Sequence, residues 1–262
     1  GSFTEFNGWR IVNPYWWKQL VPRTLYTFST FTFRNCNQTG MFGPSLTTMK
    51  NYYNTYQDGN TTNGWLNSSG FLESWNGQHV WTVPRTGNYT IEAYGAAGCG
   101  GNSHATPQNA VWSYGGYGAK MSGNFELIEG EKIRILVGQM GTGFGDYGHR
   151  PGGGGGGTFV IKSPYNTEAS ILLIAGGGGG GGQGNYNQPD GGDAYIETHD
   201  ISNNHTGTPG NGANSVGNYA GGGGGFWSDG AQYSTGWGGK GYVNNNSYGG
   251  DSTSWASESD GG

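Results

Sequence analysis

The stretch from residue 152 to residue 182 reads GGGGGGTFVIKSPYNTEASILLIAGGGGGGG. Two unbroken glycine runs, 152–157 and 176–182, enclose two apolar cores, Phe159-Val160-Ile161 and Ile171-Leu172-Leu173-Ile174. Short cores of this composition read as buried strands. Pro164-Tyr165-Asn166 supplies the turn that joins them as a hairpin. A glycine linker is flexible coil lying between domains, whereas these runs abut strands directly. The other reading is a polyglycine II helix, left-handed, with three residues per turn, about 3.1 Å rise and no internal hydrogen bonds. Its amides point outward. Without Cβ atoms, neighbouring helices approach closely enough to pair those amides, as buried backbone requires. At that rise each run spans roughly 18–22 Å, the length of an ordinary strand. With a third run at 221–225, the pattern predicts an ordered bundle of such helices set against a β-sheet.

Working outward, 57 of 262 residues are glycine, about three times the usual share. Aromatics reach 15%, whereas disordered low-complexity chains are usually poor in them. No Gly-X-Y period exists, so a collagen triple helix is excluded. A net charge of -5 with only 12 Lys and Arg argues against nucleic acid or an anionic membrane as partner. No apolar run of about 20 residues is present for a membrane helix. The Gly1-Ser2 start fits either a cloning scar or the end left by signal-peptide removal. Cys36 and Cys99 would suit a disulfide in a secreted protein, and two buried thiols are the alternative. Sequons at Asn37, Asn60, Asn67, Asn88, Asn204 and Asn245 are glycosylation candidates; roughly four would arise by chance in so Asn-, Ser- and Thr-rich a chain.

Three regions emerge. Residues 1–30 are glycine-poor and carry Trp9, Ile11, Val12, Tyr15, Trp16, Trp17 and Leu20, broken by Pro14 and Pro22. They read as an extended aromatic arm, and each buried large side chain in it is worth roughly 1.5–3 kcal/mol. The arm must therefore cover its own domain or enter another subunit, so these residues are assembly candidates. Residues 31–137 read as mainly β-sandwich. Strands are expected at 28–33, 71–75, 79–83, 89–94, 118–125 and 132–137, with a helix at 45–56 capped by Ser45. Residues 138–262 read as a polyglycine-helix region interleaved with sandwich strands. The expected fold class is all-β, an antiparallel sandwich of many short strands.

Several blocks carry a family resemblance. They are Cys36-Asn37-Gln38-Thr39-Gly40-Met41-Phe42-Gly43-Pro44, Val80-Trp81-Thr82-Val83-Pro84, Tyr89-Thr90-Ile91-Glu92-Ala93-Tyr94-Gly95-Ala96-Ala97-Gly98, Ile135-Leu136-Val137-Gly138-Gln139, Gly157-Thr158-Phe159-Val160 and Leu173-Ile174-Ala175-Gly176-Gly177-Gly178. In order and spacing they resemble the glycine-rich ectodomain family of the anaplastic lymphoma kinase and leukocyte tyrosine kinase receptors, over about residues 31–230. The resemblance implies a tumour-necrosis-factor-like sandwich of jelly-roll type fused to a polyglycine II bundle, which in those receptors binds a small helical cytokine. Related modules also occur in bacterial, protist and phage surface proteins. Met49 stands where the receptors have a second cysteine. No kinase, membrane segment or membrane-proximal cysteine-rich module follows, and Ser257-Glu258-Ser259-Asp260-Gly261-Gly262 stands where the family continues with further glycine runs. These departures put receptor signalling in doubt.

The search for chemistry finds little. His79, His104, His149, His199 and His205 form no metal-spaced pair with cysteine or carboxylate, and no Gly-x-Ser-x-Gly elbow exists. His199-Asp200 reads as a solvated turn. Asp190-Gly191-Gly192-Asp193 reads as a turn before a Ca²⁺ loop. The glycine runs lack the Gly-Lys-Ser/Thr ending of a phosphate loop. Phe226-Trp227, Trp237 and Trp255 either stack on sugars or wall the glycine bundle. The expectation is an extracellular, non-enzymatic protein without cofactor or metal. It is a structural or adhesive subunit of a surface fibre, partnered by itself and also suited to glycans or a protein ligand. A cytokine-binding receptor ectodomain and a phage tail-fibre adhesin are the alternatives.

Overall fold

The computed structural model describes residues 4–6, 9–11, 24–27, 29–39, 42–56, 64–102, 112–141, 152–181, 223–231 and 239–245. Its elements are mostly antiparallel strands. They run β1 (Thr4–Phe6), β2 (Trp9–Ile11), α1 (Leu46–Thr55), β3 (Leu72–Trp75), β4 (Gln78–Thr82), β5 (Gly87–Tyr94), β6 (Gly101–Asn102), β7 (Trp112–Ser113), β8 (Lys120–Leu127), β9 (Lys132–Leu136), β10 (Thr158–Lys162), β11 (Ile171–Ala175) and the short α2 (Tyr242–Asn245).

α1 begins where the Ser45 side chain accepts a hydrogen bond from the Thr48 amide at 3.1 Å, satisfying one of the open donors of a first turn. Met49 and Tyr53 on α1 are buried, four residues apart and so on one face. β3 and β4 are joined by Asn76-Gly77, both at positive φ (48° and 79°), the conformation that a two-residue hairpin turn demands.

A five-stranded sheet has the order β11-β10-β9-β4-β3, every neighbour antiparallel. Its middle is covered on both faces, which explains the unbroken apolar run of β10. Val160 enters a core with Leu72, Trp81, Ile133, Ile135 and Leu173. Phe159 and Ile161 enter a second core with Phe226 and Tyr242. There Tyr242 stacks on both Phe159 and Phe226, at 5.4 Å each. The second sheet element is the pair β5–β8, in register from Gly87↔Leu127 to Tyr94↔Lys120. Its alternating burial turns Tyr89, Ile91 and Ala93 into the first core and Asn88, Thr90 and Glu92 outward.

Two expectations are corrected. Residues 29–33 form no strand. Phe31 and Phe33 meet edge to face at 4.8 Å and pack against Tyr53, Trp65, His79 and Trp81. Ring packing anchors this stretch, and the Arg34 amide donates to Tyr53 Oη at 2.8 Å instead of to a ladder. The disulfide does not form either: Cys36 and Cys99 are buried free thiols. Cys36 lies in the first core beside His79 Nε2 at 3.9 Å, while Cys99 lies in the glycine segments, its amide bonded to Gly153 O.

Those segments form a backbone mesh with a three-residue period. Gly95 and Gly98 donate to Ala119 O and Gly116 O, at 2.9 Å each. Ala96 and Cys99 donate to Gly156 O and Gly153 O at 3.0 and 2.9 Å. Gly116 and Ala119 donate to Gly179 O and Gly176 O, Gly152 and Gly155 to Gly181 O and Gly178 O, and Gly178 and Gly181 to Ala96 O and Cys99 O. Residues i and i+3 thus serve the same neighbour, and the next residue turns to another. The mesh draws from both sides of position 138. The described part of the third run does not continue it: Gly225 donates to Ser228 O and accepts from the Tyr242 amide.

The mesh sets a steric rule. A Cβ on Gly152 would overlap Cys99 O, one on Gly155 would overlap Ala96 O, and one on Gly180 would overlap Gly152 O. A Cβ on Gly154 meets nothing nearer than Gly178 O at 3.6 Å. Gly155→Ala and Gly180→Ala are therefore expected to cost about 1–3 kcal/mol each, the range for overpacking. That corresponds to a fall in Tm of roughly 2–4 °C per kcal/mol. Gly154→Ala should leave Tm within a degree or two of the parent or raise it, since alanine has less backbone freedom to lose. Equal losses at positions 154 and 155 by thermal denaturation would contradict the mesh.

Candidate functional site

The two sheet elements are unequal, five strands against two, and the shortfall opens a cleft of about 1140 Å³. One wall is the whole length of β5 from Gly87 to Tyr94, and β8 supplies none of the lining. The opposite wall is the stretch 29–35. Trp81, Ile135 and Val160 form the floor, and Met140 stands at the rim, 61% exposed. Among the described residues β5 pairs with β8 alone, and its other edge borders the cleft.

The lining is apolar below and hydroxyl-rich above. Ser29, Thr30 and Thr32 are exposed, and Arg34, Arg85 and Glu92 bring the charges. Among the described residues that line the cleft there is no histidine or cysteine. It offers shape, backbone polarity and packing.

Under the 29–35 wall lies a sealed polar cluster. Tyr53 Oη and His79 Nε2 are 2.8 Å apart, and Cys36 Sγ is 3.9 Å from the same nitrogen. Burial pushes the His79 pKa down to about 4, against a smaller upward pull from the Ile135 backbone. Burial also pushes the Cys36 thiol up, partly offset by Tyr53. A reactive cysteine needs the opposite shift and access to solvent, so this Cys-His pair is a neutral core contact. On the other face of the sheet, the Arg134 guanidinium is held between the rings of Trp75 and Tyr165, at 3.7 and 3.8 Å from their centroids. Arg134 also lowers the Tyr242 phenol slightly, but burial dominates and lifts it to about 12. Tyr242 Oη lies 3.1 Å from Gln78 Oε1.

Of the glycosylation candidates, Asn37, Asn67 and Asn88 are exposed, as an acceptor must be. Asn60 and Asn204 lie outside the described residues, and Asn245 is described only in its backbone, as the last residue of α2. In the arm, Trp9 and Ile11 fall on β2, while Val12, Tyr15, Trp16, Trp17 and Leu20 lie outside the described residues. So do Asp190, Asp193, His104, His149, His199, His205, Trp237 and Trp255. Among the described residues no group of three or more His, Cys, Asp or Glu is placed to hold a metal, and no helix is long and apolar enough to cross a membrane. Phe226 is buried and stacked, which leaves it no free face for a sugar, whereas Trp227 beside it is 39% exposed. Sequence reasoning missed the cleft, because it depends on which strands β5 lacks. It also missed Trp112, Tyr114 and Tyr117, exposed beside the glycine segments.

No family model matches the chain. Over 122 residues it is 33% identical to the leukocyte tyrosine kinase receptor of Mus musculus, an alignment covering 46% of this chain and 12% of that receptor. Part of the chain is thus related in sequence to a small portion of that receptor, and it spans far less than two thirds of that protein.

The depressed His79 pKa has a signed consequence. Unfolded, the ring protonates near pH 6.5; folded, it stays neutral down to about pH 4. Its contribution to stability is complete above pH 6.5 and is lost as pH falls toward 4, at up to about 1.4 kcal/mol per unit. Urea midpoints measured between pH 7 and 4 should fall more steeply for the parent than for His79→Gln. Parallel curves would remove His79 from the account.

Proposed function

We propose that this chain is an extracellular, non-enzymatic structural subunit. Its body is a tumour-necrosis-factor-like jelly-roll sandwich stiffened by polyglycine II helices, and it self-associates through the residues 1–30 arm. The three-residue hydrogen-bond period of the glycine segments supports the helix assignment above all else, because three residues per turn is the polyglycine II repeat. Such a bundle suits load-bearing or display, since amides at three-residue intervals are committed to neighbouring segments. The receptor similarity supports the extracellular setting and the same module type. It also favours a second reading, in which the module is a ligand-binding ectodomain and the cleft beside β5 accepts a protein ligand.

Arm-dependent assembly separates the two. Full-length protein should form species larger than a monomer in multi-angle light scattering and elongated particles by negative-stain microscopy. Removal of residues 1–23 of the arm, which spares Tyr26 on the first core, should leave monomers with an unchanged β-rich circular dichroism spectrum. A full-length protein that stays monomeric at all concentrations would overturn self-assembly and leave the ligand-binding reading in place.

A further inference from the structure

We infer that the cleft along β5 is an acceptor slot for the N-terminal hairpin of a second copy of this chain. This inference rests on the self-assembly reading above and gives it an address. The slot is built as a strand receptor. Among the described residues β5 pairs on one side only, and the cleft follows it for all eight of its residues, roughly 27 Å at the antiparallel rise. The wall 29–35 forms no sheet ladder, and no described strand lies in the space between it and β5. Below it lies the side of the core that the two-stranded element leaves uncovered, with Tyr89, Ile91 and Val137 only half-buried.

The same chain carries a matching donor. β1 and β2 pair antiparallel, with Thr4↔Ile11, Glu5↔Arg10 and Phe6↔Trp9 as partners. In this register the positions of Thr4, Phe6, Trp9 and Ile11 alternate with those of Glu5 and Arg10. A lone two-stranded hairpin is marginal in water and needs a surface to cover it. Neither β1 nor β2 pairs with any strand of the body. Docked edge to edge on β5, the hairpin would extend the two-stranded element to four, with main-chain hydrogen bonds giving affinity and the apolar positions closing the core.

Chain length allows the exchange. Residues 12–23 separate β2 from Thr24, which itself lines the cleft. These residues reach about 40 Å when extended, enough to carry the hairpin to a neighbour. Donor and acceptor are different surfaces, so the contact is head-to-tail and propagates into an open filament unless the rotation closes it.

Cysteine cross-linking of full-length chains tests this. Arg10→Cys chains are mixed with Met140→Cys chains, whose new thiol stands at the cleft rim, and treated with a short bismaleimide. The control partner is Ser122→Cys, exposed on β8 outside the cleft; the native thiols are buried. The expected result is a covalent dimer with Met140→Cys at least tenfold above that with Ser122→Cys. Equal or absent dimer in both mixtures, from protein that light scattering shows to be assembled, overturns the slot and leaves self-assembly standing. An intramolecular cross-link in a chain carrying both Arg10→Cys and Met140→Cys, at a dilution where light scattering shows only monomers, overturns the second copy as occupant. Protein that never assembles overturns the self-assembly reading, and the slot with it.

Discussion

The structure depends on backbone contact closer than any side chain permits. Where Gly95, Gly118, Gly155 and Gly180 lie, the volume of a Cβ is already taken by a carbonyl oxygen of the neighbouring segment. This exclusion lets amides at positions i and i+3 reach one neighbour while the residue beside them reaches another. Each segment can then satisfy its buried amides laterally, which a helix or a pleated sheet would do by other means. The mesh is continuous in sequence with β10 and β11, since residue 157 precedes the first strand and residue 176 follows the second. The hydrophobic sheet fixes the ends of the glycine segments, and the segments extend the sheet's order beyond its apolar core.

The inequality of the two sheet elements gives the molecule a cleft of about 1140 Å³. A five-stranded sheet buries both faces in its middle, one under β5–β8 and the other under Phe226 and Tyr242. The two-stranded element is too narrow to cover the first face alone. The stretch 29–35 covers part of it by aromatic packing, and the remaining width is the cleft. Its described lining follows from this origin: a floor of core side chains and an edge of backbone polar groups.

Much of this was legible from local signals. Ser45 before an amphipathic decade marked α1, and the apolar cores around Pro164 marked β10 and β11 as a hairpin. The glycine runs at 152–157 and 176–182 marked the mesh, and its other members carried a subtler sign. Gly95 with Gly98, and Gly115 with Gly118, repeat at intervals of three, although Ala96, Cys99 and Tyr117 interrupt the runs. Residues 29–33 misled because phenylalanine alternation looks alike whether the rings pack beside a ladder or replace one. The cysteine pairing failed because two positions in a sequence say nothing of the layers they will occupy. The β1–β2 hairpin was not foreseen, since residues 1–30 read as one extended arm, although Asn7-Gly8 is a pair that short hairpins favour. The cleft had no local signature at all, because it is defined by the strands that β5 lacks.

An interior made partly of peptide groups also responds differently to temperature. Unfolding an oily core raises the heat capacity by about 0.45 cal/mol/K per Å² of apolar surface exposed, whereas exposing polar backbone lowers it by about 0.26. The glycine mesh places buried amides and carbonyls where another fold of this size would place leucine and valine. Its heat-capacity increment per residue is correspondingly small, and the curve of stability against temperature is flatter and broader. A chain built this way loses less of its stability on cooling than one held by side chains alone.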